Sequence, residues 1–565
     1  MVKMIHKQEG GSSPGAFREE STMNSLFTVN GKPFFSIGGQ THNSSTCTKE
    51  SMERAWRAAE LMGLNTIAAP ITWEAIEPEE GTFCFDQVDW VVEGARSRGL
   101  KAVLLWFGTW KNGTSHYAPA WVKTDKERFL WCRSLSGALT RILSPHGQNT
   151  MEADQRAFAA LMSYVRSINT DGTVVAVQVE NEPGLCGTPR DYSPEANALF
   201  AQDVPAELMA WLRSAGDCPI VRTWRRQGSP EAGSWRTVFG PVDCAEIFSA
   251  YYVSGYCNSV AVAGRSVYPD MPLYCNVWLG EMYNRVAGVD FPSGGATSRM
   301  IDLWKLRTPD IDVIAPDVYL QDLRTYDAVC SAYARPDNLL YIPESGPSIL
   351  NALNVFTMIE KRQLTGIHTF GIDSCVDDNG QLRPACKEWV HTVRILTEMK
   401  PLLEQYIGTD KLYAVAQYEG CSTINLDFGD YLGRAACYNP NGNAFAERAA
   451  FMDTFHSNPE SRTVRGKGLI IDAGDGVFYI AGEGFNLVFT RKDDIDLMTS
   501  GVRASTFHNG RHGEYISVEE GHFDAGGRFV PCRRRCGDES DFGIWTDWDV
   551  GVIRVVMDRS AAPQP

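Results

Sequence analysis

Val174–Gly184 reads VVAVQVENEPG. An apolar run reaches Val179 and passes straight into Glu180, Asn181, Glu182, Pro183 and Gly184. Near-continuous apolar sequence of this length fits a strand covered on both faces, the pattern of a parallel sheet. Acidic side chains at the end of such a strand cost desolvation free energy unless they are paired or used. Leu339–Pro347, LLYIPESGP, has the same form and brings Glu344 to the end of an apolar run 162 residues after Glu182.

Working outward from these two stretches, apolar runs predict eight strands: Phe34–Gly38, Thr66–Pro70, Ala102–Trp106, Val174–Val179, Leu273–Trp278, Val313–Ala315, Leu339–Ile342 and Gly366–Phe370. Amphipathic stretches between them predict helices over Lys49–Met62, Asp86–Ser97, Asp154–Ser167, Pro205–Ser214, Asp243–Val262, Gly294–Leu306, Asn351–Lys361 and Ala385–Met399. This repeated strand–helix alternation is the signature of an α/β fold, a (β/α)8 TIM barrel. Glu182 and Glu344 then end the fourth and seventh strands, both facing one mouth.

Residues 1–25 are polar and read as a flexible N-terminal tail, and Asn30-Gly31 signals a hairpin between Leu26–Val29 and Lys32–Ile37. The barrel is expected over 26–400. From 401 to 565 the pattern changes to short strands punctuated by Gly, Asn and Asp, predicting an all-β, sandwich-like domain. Its expected strands are Tyr413–Gln417, Ser422–Phe428, Arg434–Tyr438, Gly468–Asp472, Gly476–Ala481, Phe485–Arg491, Val502–Phe507, Glu514–Glu520 and Val552–Met557. Cys532 and Cys536 are read as lying in a loop there, with a metal clip as the weaker alternative to incidental thiols.

The chain has 565 residues and a formal net charge of −16, which disfavours nucleic acid and anionic membranes as partners. The 15 cysteines follow no disulfide framework and read as reduced thiols of a cytoplasmic protein, many of them buried. No nucleotide-binding or metal-ligand motif is present, so no cofactor and no metal is expected. The expected partner is a small saccharide or glycoside, with a homo-oligomer compatible with the acidic surface.

Two carboxylates across one barrel mouth suit glycoside hydrolysis, in which one protonates the leaving oxygen and the other attacks the sugar or activates water. Glu182 is assigned as acid and Glu344 as nucleophile of a retaining pair, while an inverting pair needs a wider gap that sequence cannot measure. Asn181 is placed to hydrogen-bond a sugar 2-hydroxyl. Glu180, two residues before Glu182, is expected on the same side by strand periodicity, orienting a partner, binding sugar or making a structural ion pair. Glu281, after the fifth strand, is a third carboxylate at the mouth and the rival to Glu344.

VQVENEPG closely resembles the QVENE signature of family 35 β-galactosidases. NGKPFFSIGGQTHNSS (30–45), LMGLNTIAAPITWEAIEPEEGTFCF (61–85) and Ala315-Pro316-Asp317-Val318-Tyr319 resemble the bacterial-type intracellular branch, over residues 26–540 in all. Pro183 stands where many members have Tyr, and WFGTWKNG (106–113) lacks the cysteine-containing stretch of better known members. The resemblance implies a retaining exo-β-galactosidase with a β-domain after the barrel, and a hydrogen bond from Tyr319 to the nucleophile. Another β-glycoside (glucoside, fucoside or galactofuranoside) as substrate, endo-acting depolymerisation, and a non-catalytic carbohydrate-binding barrel are the alternatives.

Around the pair, Asp317 is a candidate for binding sugar hydroxyls. Gln40, His42 and Asn43 follow the first strand and suit hydroxyl recognition, and Gly38-Gly39 allows close approach of the backbone. Trp73 is read as a pocket wall. Trp106 and Trp110 are candidates for stacking on a sugar face, with core packing as the alternative for Trp106. Glu77 and Glu79 are read as solvated loop residues.

Overall fold

The computed structural model describes residues 24–281, 285–438, 465–492, 515–541 and 543–559. The expected tail up to residue 23 and the expected strand Val502–Phe507 lie outside the described residues. The chain divides into two compact units, Asn24–Thr397 and a second that contains Glu398–Pro565. The division falls inside the helix Lys387–Tyr406, which continues past the expected boundary at residue 400.

In the first unit, seven parallel strands form one sheet: Ser36–Gln40, Thr66–Thr72, Lys101–Phe107, Val174–Gln178, Leu273–Val277, Val313–Pro316 and Gly366–Phe370. The last strand pairs with the first, from Gly366 beside Ser36 to Phe370 beside Gln40. The expected seventh strand joins through single parallel bridges only, Ile342 to Ile367 and Val318 to Ser345. Pro343 has no N–H to donate, which interrupts a continuous ladder there. The bridges close the ring all the same: Val318 N–H donates to Glu344 O at 2.9 Å and Ile342 N–H to Gly366 O at 3.1 Å. Eight strand positions around a ring match the expected TIM barrel.

The barrel interior is filled by Val103, Leu105, Phe107, Ala176, Tyr274, Val313, Ala315 and Tyr341, with Leu26, Phe27 and Phe34 of the leading segment packed against them. Each such large side chain, fully buried, contributes about 1.5–3 kcal/mol. Asn30 and Gly31 have φ of 53° and 73°, the left-handed pair that a two-residue hairpin turn requires, between Thr28–Val29 and Lys32–Pro33. Gly38 admits the ring of His368, since a Cβ there would sit 2.2 Å from it. The close approach allowed by Gly38 is therefore to a core side chain. Burial lowers the His368 pKa to about 3, and Ser36 Oγ and Tyr341 Oη hydrogen-bond its neutral ring.

Most expected helices are present, with shifted ends. Glu53–Met62 stops at Gly63, whose φ is 72°. The helix expected over Asp243–Val262 runs Trp235–Val267 with a break at Gly240. The one expected over Gly294–Leu306 is confined to Ile301–Arg307, because Pro292, Gly294 and Gly295 precede it. Two long inserts stand at the mouth. The insert after the third strand holds an unanticipated hairpin, Trp131–Arg133 with Leu139–Leu143. The insert after the fourth holds three helices, Pro194–Phe200, Ala206–Ser214 and Pro219–Arg226.

In the second unit a six-stranded and a four-stranded antiparallel sheet share one core that includes Val415, Leu426, Phe478, Ile480, Leu487, Phe489 and Val555. Alternate residues of strands such as Tyr431–Cys437 face this core, as a sandwich requires. Cys532 lies on the edge strand Phe529–Arg535 and not in a loop, a correction that follows from the pairing of Tyr515–Phe523 with that segment. All fifteen cysteines are free, and most are buried. Among the described residues no helix is long and apolar enough to cross a membrane.

Candidate active site

The fourth strand ends at Gln178, and the chain then leaves extended conformation. Glu180 and Glu182 have φ of 59° and 46°, a left-handed backbone that costs roughly 1–2 kcal/mol per residue outside glycine. The fifth strand and the loop after the third hold it in place. Asn276 Oδ1 accepts from the Glu182 N–H at 2.8 Å, and Glu180 Oε2 accepts from the Trp110 N–H at 2.7 Å.

Because the backbone turns, strand periodicity fails here, and Glu180 does not share the side of Glu182. Glu180 is fully buried and senses the charge of Asp154, on the helix Gln148–Ile168. Burial and the Asp154 charge push its pKa well above the ordinary carboxylate range. Asp154 in turn accepts from Trp106 Nε1 at 2.9 Å and from Thr109 Oγ1 at 2.7 Å. Glu180 is thus a buried post behind the loop that accepts from Trp110, and of its expected readings the sugar contact does not fit.

Glu182 is 6% exposed, and its Oε2 accepts from Asn112 Nδ2 at 2.5 Å. Burial first, and then the charge of Glu344, raise its pKa to about 7. Glu344 is 4% exposed, with each oxygen held by a separate strand end. Gln40 Nε2 donates to Oε1 at 2.8 Å, and Tyr319 Oη donates to Oε2 at 2.9 Å. Burial and the Glu344 charge push the Tyr319 hydroxyl pKa up, so it stays a donor.

Asp317 completes the cluster: one oxygen each from Glu182, Asp317 and Glu344 lies within 4.8 Å of the others. Burial, and after it Glu344 and Glu182, raise the Asp317 pKa well above normal. Its Oδ2 accepts from Asn276 Nδ2 at 2.7 Å. Among the described residues this trio is also the acidic group with the spacing to hold a metal ion, as an all-oxygen set of the kind hard cations take. Lys111, 4% exposed, supplies positive charge, donating to Asn181 Oδ1 at 2.9 Å. Asn181 Nδ2 and Gln40 Oε1 are buried with no partner among the described residues.

The remaining expected site residues divide. His42 lies at the first strand's end, but its ring Nε2 meets Ser374 Oγ at 2.7 Å and its N–H donates to Asp373. Asn43 Oδ1 is buried without a partner. Trp73 is fully buried, donating Nε1 to Glu77 at 3.0 Å, and Trp110 is fully buried against Tyr256. Neither ring offers a free face, so both are corrected to core positions, and Glu77 to a buried acceptor. Glu281 spends Oε1 on the Ser298 N–H and the Tyr333 hydroxyl, apart from the trio.

Asn112, Lys111 and Asn276 were not anticipated. Asn276 had a readable signal, a polar residue near the mouth end of the apolar run LYCNV. Asn112-Gly113 is a two-residue turn signal, and both φ values are positive. That the turn points at Glu182 depends on the folded insert.

Residues 26–232, which span the first four strands and Glu182, match the model for Glycosyl hydrolases family 35. Residues 391–547 match a Domain of unknown function (DUF5597). A β-galactosidase of Xanthomonas manihotis is 25% identical over 200 residues, 34% of this chain and 31% of that protein, so the chain spans about a third of that relative. A catalytic mutant of a β-galactosidase from G. stearothermophilus superposes with a TM-score of 0.48 at 15% identity, covering 69% of this chain and 59% of that one. The catalytic domain of a Paenibacillus polymyxa β-amylase gives a TM-score of 0.47 at 14% identity, covering 65% and 98%. The family 35 region ends before Glu344, so the nucleophile candidate rests on barrel geometry.

Proposed function

We propose that the chain is a retaining, exo-acting β-glycosidase that removes terminal β-galactosyl residues. The observation that carries this reading is the approach of Glu182 and Glu344 oxygens to within 4.8 Å at the ends of the fourth and seventh strand positions. A retaining pair stands about 5–5.5 Å apart and an inverting pair about 6.5–9.5 Å. The β-galactoside preference is carried over from the family 35 match and the Xanthomonas manihotis relative.

Glu182, with a pKa near 7, holds a proton at neutral pH and gives it to the leaving oxygen. Glu344, ionised and steadied by Gln40 and Tyr319, attacks the anomeric carbon and forms a glycosyl-enzyme. Attack consumes the Glu344 charge that raises the Glu182 pKa, so the Glu182 pKa falls just when it must take a proton from water. The unpartnered Asn181 Nδ2 and Gln40 Oε1 suit sugar hydroxyls, since buried polar atoms in native structures generally find partners. The Lys111–Thr114 turn lies against Asn181 and walls one side of the mouth, which favours a pocket for a chain end over an open cleft.

Hydrolysis of a panel of nitrophenyl glycosides by the wild type, Glu182→Gln and Glu344→Gln tests the assignment. Strong loss in both variants is expected, with azide rescue of a Glu182 variant giving a β-configured product. Wild-type turnover in both variants would remove the pair.

A further inference from the structure

The insert after the third strand forms a cavity of about 390 Å3 that opens to solvent, lined by Ser115, His116, Lys123, Lys126, Trp131 and Arg141 among others. No acidic side chain lines it, although the chain as a whole carries a net charge of −16. Lys123 is paired with Glu74 at 3.0 Å. His116, Lys126 and Arg141 are exposed and meet no carboxylate among the described residues. The Lys126 ammonium sits 6.0 Å from the centre of the Trp131 ring, and Trp131 Nε1 is buried with no acceptor.

Cationic groups left unpaired in so acidic a chain, beside a buried N–H that lacks an acceptor, match an anionic ligand. A tryptophan flanked by such donors is a surface on which a sugar ring can lie. The lining of the cavity starts two residues after a backbone contact with Glu182. Gly113 N–H donates to Glu182 O at 3.1 Å, and Ser115 follows two residues later, at most ~7 Å of extended chain.

We propose that this cavity receives an anionic group, a uronate carboxylate or a sulfate ester, borne by the sugar on the leaving-group side of the scissile bond. The natural substrate would then be an acidic oligosaccharide. This rests on the glycosidase reading of Glu182 and Glu344 and names the class of substrate for that site.

The test compares β-galactosyl disaccharides whose reducing-side sugar is neutral, carboxylated or sulfated with nitrophenyl β-galactoside, which has nothing to reach the cavity. At low salt an acidic disaccharide is expected to exceed the neutral one in kcat/KM by about tenfold, an advantage lost in high salt and in Lys126→Ala/Arg141→Ala. Nitrophenyl hydrolysis by that variant is expected to stay unchanged. The better of the carboxylated and sulfated substrates identifies the group bound. Equal kcat/KM for neutral and acidic disaccharides, or equal loss on every substrate in the variant, overturns the proposal. If no glycoside is cleaved at all, the glycosidase reading fails instead. Calorimetry with galacturonate and galactose 6-sulfate on the intact protein then decides the cavity separately: binding lost in the double variant supports it, and no binding removes it.

Discussion

Tyr319 donates its hydroxyl to Glu344 Oε2 at 2.9 Å while 46% of the residue remains exposed. One end of the ring is thus fixed on a buried carboxylate and the rest faces solvent, an arrangement suited to a group that both steadies charge and borders a substrate. A hydrogen bond to a charged group contributes about 1.5–3 kcal/mol. Tyr319→Phe should therefore lower kcat/KM for nitrophenyl β-galactoside by about 10- to 100-fold with little change in Tm. A change of less than twofold would show that Glu344 does not depend on this contact.

The pH profile should carry the signature of Glu182. With its pKa near 7, the protonated acid is lost as pH rises through that value, so kcat/KM should fall above about pH 7. Removing the charge of Glu344 removes one of the two causes of the shift. The Glu182 carboxyl signal in Glu344→Gln, followed by NMR, should titrate lower than in the wild type. Burial remains, so it should still titrate above an ordinary glutamate. An unmoved titration would mean that the two groups do not sense each other.

Stability should change with pH in the opposite sense from a salt-bridged acid. A carboxyl whose folded pKa lies above its unfolded value of 4.5 destabilises the fold progressively as pH rises from there through about 7. Glu182→Gln relieves this cost only where the unfolded chain would ionise. Denaturation at pH 8 should show the variant more stable by up to ~3 kcal/mol, and at pH 4 nearly equal. Equal stability at both values would contradict a protonated, buried Glu182.

Trp110 separates core from pocket. It is fully buried against Tyr256, with ring centroids 4.7 Å apart. Trp110→Ala should lose about 3–5 kcal/mol of stability on chemical denaturation. Unchanged stability with a raised KM would return this ring to the sugar site.

The trio of Glu182, Asp317 and Glu344 bears on metal dependence. In the proposed double displacement no step calls for an ion. Dialysis against EDTA should leave kcat/KM unchanged, and added calcium or magnesium should inhibit or do nothing. Loss of activity in EDTA, restored by a divalent cation, would make the trio an ion site.

Much of the barrel was legible because its signals are local. Val174–Val177 and Leu339–Ile342 are apolar throughout, and parallel strands buried on both faces require that composition. The order of strands and helices followed from it, and with that order came the sides of the ring on which Glu182 and Glu344 emerge. Asn30-Gly31 likewise declared its turn by backbone sterics alone.

The sequence by itself determined the eightfold alternation, the β-rich second half and the two acidic strand ends, since each depends on residues adjacent along the chain. Only the tertiary structure decided the environment of each carboxyl. Glu180 and Glu182 are two residues apart, yet left-handed backbone sends one to Asp154 and the other to Asn112 and Asp317. Trp73 read as a pocket wall and Trp110 as a sugar-stacking ring, but packing closed over both. Proton affinity and accessibility are set by atoms brought together through space, from Gln40 to Tyr319, and one-dimensional spacing does not encode them.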